Sequence, residues 1–140
     1  MSDTMTSSDE QQHSVKTILV VEDDDDVGAF LVYALKTETP HQALHAPDGV
    51  QALEIVKTIV PDLFILDYQL PQMNGLELYD HFQGAEAYKK IPTVLMSANL
   101  PMREIEKRRV SALKKPFELE EMLQLVEELL GKSLRHDEQT

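Results

Sequence analysis

Three short apolar runs constrain this chain more than any other feature: Thr17–Val21, Leu63–Leu66 and Thr93–Met96. None alternates with polar residues, which is the pattern of strands buried on both faces of a sheet. Helical spacing separates them. Val27, Phe30, Leu31, Ala34 and Leu35 recur at intervals of three and four, and Thr39-Pro40 ends that pattern. Asp48 stands at an N-cap position with Gln51 three residues on, ahead of a stripe of Val50, Leu53 and Val56. Gly75–Phe82 predicts a helix burying Leu76, Tyr79 and Phe82. Leu119, Met122, Leu123, Val126, Leu129 and Leu130 mark a last helix, whose first turn carries Glu118, Glu120 and Glu121 at the positive end of its dipole. Weaker strands are expected at Gln42–His45 and Ser111–Lys114. Five strand–helix units in alternation predict an α/β fold, a doubly wound parallel sheet with helices on both faces.

At 140 residues the chain has room for one such core. The reading is a domain over 16–130, with polar segments 1–15 and 131–140 as flexible tails. Twenty-five acidic against thirteen basic residues give a formal charge of −12, which argues against nucleic acid as a direct partner. Cations and basic protein surfaces suit such a chain better. Without cysteine there is no disulfide, thiolate metal site or thiol nucleophile. No apolar run is long enough to span a bilayer and the first residues are polar and acidic, so the expectation is a cytoplasmic protein without membrane insertion. The five histidines are scattered, without zinc-ligand spacing.

In a parallel sheet of this kind ligands bind beyond the carboxyl ends of the strands. The first run ends in Glu22-Asp23, the second in Asp67, the third in Ser97, and the Ser111–Lys114 segment in Lys115-Pro116-Phe117. Asp24, Asp25 and Asp26 suit the start of the first helix. Glu22, Asp23 and Asp67 crowded on one rim repel one another unless a cation lies between them. Oxygen donors without Cys or His point to Mg2+. A carboxylate such as Asp67 can act as a nucleophile and form an acyl phosphate. Lys115 would neutralise phosphoryl charge and the Ser97 hydroxyl would donate a hydrogen bond to it.

Four segments carry a resemblance: Ile18-Leu-Val-Val-Glu-Asp-Asp24, Pro61-Asp-Leu-Phe-Ile-Leu-Asp-Tyr-Gln-Leu-Pro-Gln-Met-Asn-Gly75, Ile91-Pro-Thr-Val-Leu-Met-Ser-Ala98 and Lys115-Pro-Phe117. In this order they resemble the signature segments of response-regulator receiver domains, and the likeness runs from about Lys16 to Leu130. The resemblance implies a flavodoxin-like (βα)5 sheet of order 2-1-3-4-5. It implies Asp67 as phosphoacceptor, Asp23 as a direct Mg2+ ligand, Glu22 acting through a bound water, and the Gln69 main-chain carbonyl completing the protein's ligands. Ser97 and Lys115 take the conserved hydroxyl and lysine positions, and Lys115–Pro116 is expected to be cis. By the same likeness the chain accepts its phosphoryl group from a phosphohistidine of a sensor histidine kinase or phosphotransfer protein. It then loses the group slowly to water, with Gln69 and Asn99 tuning the lifetime. A downstream protein partner and a monomeric or weakly dimeric state are expected.

The chain departs from that family in two places. Ala112 stands three residues before the lysine, where receivers usually carry an aromatic switch residue. The stretch from Ser97 to Lys115 is about one helical turn short, which predicts a shortened or irregular fourth helix. Arg103, Lys107, Arg108, Arg109, Lys114 and Lys115 form a basic cluster nearby, read as a solvated, charge-balancing face with a docking patch for an acidic partner as the alternative. Two rivals stand beside the signalling reading. A binding module that is never phosphorylated usually lacks one of the residues retained here. A phosphohydrolase with an aspartate nucleophile needs a second acid where this chain has Gln69. With only a short tail after the last helix, a stand-alone receiver is the expectation.

Overall fold

In a computed structural model, which describes residues 15–139 and their side chains through Gly131, the alternation becomes a five-stranded sheet. The strands are β1 (Thr17–Val21), β2 (Gln42–Ala46), β3 (Leu63–Asp67), β4 (Thr93–Ser97) and β5 (Ser111–Lys114). All pairings are parallel and the order is β2-β1-β3-β4-β5. The helices are α1 (Asp25–Glu38), α2 (Gly49–Ile55), α3 (Gly75–Gln83), α4 (Met102–Glu106) and α5 (Leu119–Gln139).

The period-2 geometry of strands sorts the core into two layers. Ile18, Val20, Leu63, Ile65, Val94 and Met96 face one side, where Leu31 and Leu35 of α1 and Met122, Val126 and Leu130 of α5 cover them. Leu19, Val21, Phe64, Leu66 and Leu95 face the other, under Ala52 of α2, Leu78 and Phe82 of α3 and Ile105 of α4. Phe64 stacks on Phe82 with ring centroids 4.1 Å apart, joining α3 to the sheet centre. Caps set the helix starts. Asp24 accepts from the main-chain N–H of Asp26 and Val27, Asp48 from that of Gln51, and Asn74 forms a reciprocal capping box with Glu77.

Several expectations shift in detail. The periodic stripe of α1 is only partly core: Leu31, Ala34 and Leu35 are buried, whereas Val27 and Phe30 face solvent, as does Val50 on α2. The last helix does not stop at Leu130. Its backbone continues through Gly131 to Gln139, across most of the segment read as a tail, because one glycine costs only about 1 kcal/mol in a helix. The expected tail 1–15 lies, except for Val15, outside the described residues. The fourth helix is indeed short, five residues anchored by buried Ile105, and its N-cap Pro101 offers no side-chain hydrogen bond. No helix of the described residues is long and apolar enough to cross a membrane.

Candidate functional site

The carboxyl ends of β1, β3, β4 and β5 meet at one rim. Glu22, immediately after β1, donates its main-chain N–H to Ala46 O of β2 at 3.0 Å, so the acidic turn starts from a fixed point. One carboxylate oxygen each from Glu22, Asp23 and Asp67 lies within 4.8 Å of the others. Glu22 and Asp67 are buried, at 2% and 5% exposure, while Asp23 is open to solvent. Lys115 enters from the far edge. Its Nζ lies 3.2 Å from Asp67 Oδ1 and 3.5 Å from Glu22 Oε1, and its main-chain N–H bonds Ser97 O at 2.9 Å. The Lys115–Pro116 peptide is cis.

Three acids and one ammonium leave this rim negatively charged. Burial pushes the Glu22 carboxyl above its ordinary value, and the charge of Asp67 adds to that, although the N–H of Asp24 and the Lys115 ammonium oppose it. Burial works against the Lys115 charge, but Asp67 and Glu22 outweigh it and hold the ammonium above its ordinary value. The donor set consists of oxygen atoms, two of them on buried carboxylates facing a third at the solvent edge. That suits a hard divalent cation which keeps part of its water shell.

The loop after Asp67 is held by its own backbone. Tyr68 N–H bonds Met96 O, and Gly75 N–H bonds Tyr68 O, both at 2.8 Å. Gln69 lies exposed on that loop. Within it Met73 N–H closes a tight turn on Pro71 O, with Gln72 at a φ of 73°, a backbone region few side chains favour. Ser97 is buried, and its hydroxyl is engaged locally: it donates to Asn99 O at 2.9 Å and accepts from Asn99 N–H at 3.1 Å. Asn99 itself is exposed. Ala112 is exposed on β5.

Comparisons with known proteins identify the family and the fold. The family model described as the response regulator receiver domain matches residues 18–127. The chain belongs to that family. Protein Rrf1 of Nitratidesulfovibrio vulgaris is 32% identical over 114 residues, which cover 81% of this receiver domain's chain and 82% of that protein. The hybrid signal transduction histidine kinase D of Dictyostelium discoideum is 30% identical over 127 residues, and the sensor histidine kinase TmoS of Ectopseudomonas mendocina 32% over 128. The receiver domain spans 8% and 12% of those two kinases. Among solved structures, a putative response regulator from Chloroflexus aurantiacus superposes with a TM-score of 0.76 at 27% identity, covering 83% of this chain and 98% of that one.

Two features escaped sequence reasoning. His45 Nε2 lies 2.7 Å from the main-chain carbonyl of Glu22, and nothing in the β2 pattern marked that residue. The basic cluster divides: Lys115 joins the acidic rim, whereas Arg108 binds Asp80 of α3 through Nε at 2.9 Å and Nη2 at 2.8 Å. Hydrogen bonding to Arg108 holds the Asp80 carboxyl below its ordinary value, and the guanidinium is raised in return.

Proposed function

We propose that this receiver domain is a phosphoacceptor switch, taking a phosphoryl group from a phosphohistidine onto Asp67 with Mg2+ bound. The observation that carries this reading is the juxtaposition of buried Asp67 with two further carboxylates and, 3.2 Å away, the Lys115 ammonium. A carboxylate oxygen of Asp67 forms a bond to phosphorus as the donor's P–N bond breaks. The electron pair returns to the donor imidazole, which takes up a proton. Asp23, Glu22, Asp67 and the Gln69 main-chain carbonyl are the residues that would hold Mg2+. Bound there, the ion would offset the repulsion between a carboxylate nucleophile and an anionic phosphoryl group. Lys115 is already drawn to Asp67 and supplies the second positive charge.

The readout runs through Ser97. Its hydroxyl would leave Asn99 O and donate to a phosphoryl oxygen, freeing the Asn99 main chain and the loop leading to α4. With Ala112 in place of a ring, this loop rather than a rotating aromatic carries the change. Gln69 and Asn99, exposed on either side of the rim, tune access of the hydrolysing water. The donor docks on α1, where Val27, Phe30 and Tyr33 form an exposed apolar stripe on the helix that begins at the acidic turn. A sensor histidine kinase or a phosphotransfer protein fits that role.

Incubation with acetyl phosphate, with and without Mg2+, followed by intact mass tests the proposal. A phosphoryl adduct that needs Mg2+ and disappears on Asp67→Ala supports it. An adduct that survives the substitution, or none under any condition, removes it.

A further inference from the structure

At the opposite end of the sheet from Asp67, one strand length or roughly 16 Å away, the surface carries a concavity of about 800 Å3. Two stretches distant in sequence converge on it. Lys89 and Lys90 come from the turn before β4, and Lys107, Arg108 and Arg109 from the turn between α4 and β5. Among the described residues Asp80 is the one carboxylate of its lining. In a chain of formal charge −12, this gathering of cations is a local inversion of sign.

The cations differ in availability. Arg108 is spent on the framework, bonded to Asp80 and to Glu104, and so ties α4 to α3. Lys89 and Lys107 pair with exposed Glu86 and Glu104 at 2.7 and 3.7 Å, contacts that solvent makes easy to exchange. Lys90 and Arg109 are exposed and have no ion pair among the described residues. The backbone is firmly set, since Arg109 N–H bonds the buried Tyr79 hydroxyl at 3.2 Å. Half-buried Ile91 and Pro92 add an apolar wall against which methylene groups can rest.

We infer that this concavity is a docking site for a short acidic segment of a partner protein. Screening confines the attraction to about 8 Å at physiological ionic strength, so a short segment meets the basic island and little else. A nucleic acid would extend beyond this basic island over a chain whose formal charge is −12. The concavity is far larger than one phosphate, and its free cations come from both converging turns. An occupant there leaves the rim around Asp67 open and touches the turn that follows α4, so a partner could hold the domain while its phosphoryl state changes.

Fluorescence anisotropy of a labelled hexaglutamate peptide at low ionic strength reads the site directly. Saturable binding is expected, weakened by about tenfold or more in Lys90→Glu/Arg109→Glu and to an intermediate degree in Lys90→Gln/Arg109→Gln. Asp67→Asn should bind the peptide as the parent does, so this inference and the phosphoacceptor reading fail separately. No saturable binding, equal binding by the charge-reversed variant, or preference for a labelled oligothymidylate would each overturn it.

Discussion

His45 Nε2 sits 2.7 Å from the main-chain oxygen of Glu22, so a side chain on β2 holds the acidic turn that follows β1. The ring has room because α1 presents Gly28 to it: a Cβ at that position would lie 2.3 Å from Nε2. Gly28→Ala gains about 1 kcal/mol of helix propensity but must push the ring away and break its bond to Glu22. Stability and ion binding should therefore part company. Denaturation should shift by less than about 1 kcal/mol, while Mg2+ titration shows affinity falling several-fold. His45→Ala should cause the same loss, and the two changes together no more than either alone. Additive losses would show that His45 does not act on the turn through this contact.

Gly75 makes a second close approach. A Cβ there would lie 2.5 Å from the main-chain oxygen of Asp67 and 2.9 Å from Leu95 Cδ1. The first obstacle is backbone at the end of a central strand and cannot rotate aside. Gly75→Ala is expected to cost about 1–3 kcal/mol, the usual range for overpacking, read as a lower urea midpoint at constant m-value. Because the displaced atoms belong to Asp67, acetyl phosphate labelling should fall as well. A midpoint equal to the parent's would mean the loop yields freely.

The fold was legible because its strands carry unbroken apolar runs and their ends carry the chemistry. Thr17–Val21 and Leu63–Leu66 admit little but central parallel strands, and Glu22, Asp23 and Asp67 follow from where those strands stop. Strand order came from family likeness, since periodicity says nothing about neighbours. The contacts of single polar residues were not legible. His45 reads as an ordinary strand residue until Gly28 is seen across from it, and Lys89-Lys90 joins Arg109 only through the turn geometry. Apolar spacing also overstated the core on α1, where Val27 and Phe30 are 38% and 56% exposed. Periodicity places residues on a helix, but the reach of the sheet decides which of them it covers.

His41 should make the protein acid-sensitive well above the carboxylate range. Its Nδ1 accepts the Lys16 main-chain N–H at 3.0 Å, linking the start of β1 to that of β2, and only the unprotonated nitrogen can do this. Burial, then the charge of Lys16, lowers its pKa below the ordinary 6.5, with Asp62 opposing. Glu38, Glu120 and Glu127 line the same groove between α1 and α5. With the folded pKa below the unfolded one, the unfolded chain binds the extra proton first. The contribution is therefore fully present above 6.5 and is lost as pH falls from there through the folded value. Melting temperature followed between neutral and mildly acidic pH should decline in the parent and decline less in His41→Asn, whose amide oxygen can still accept. Identical slopes would place the acid sensitivity elsewhere.

Removing divalent ions should expose the strain at the rim. Glu22 and Asp67 are both buried, Asp23 adds a third negative charge, and Lys115 provides the cation between them. With a chelator present, Asp67→Asn relieves repulsion, leaves Lys115 paired to Glu22, and should raise stability by on the order of 1 kcal/mol. Adding Mg2+ to ten times its dissociation constant should stabilise the parent by about 1.4 kcal/mol through binding to the folded state. Asp67→Asn should lose most of that gain, so the ranking of the two proteins narrows or reverses as Mg2+ rises. If Asn at this position destabilises the ion-free protein, the Lys115–Asp67 attraction outweighs the crowding of the acids. The rim would then be balanced without an ion, and its affinity for Mg2+ would have to come from the phosphoryl group.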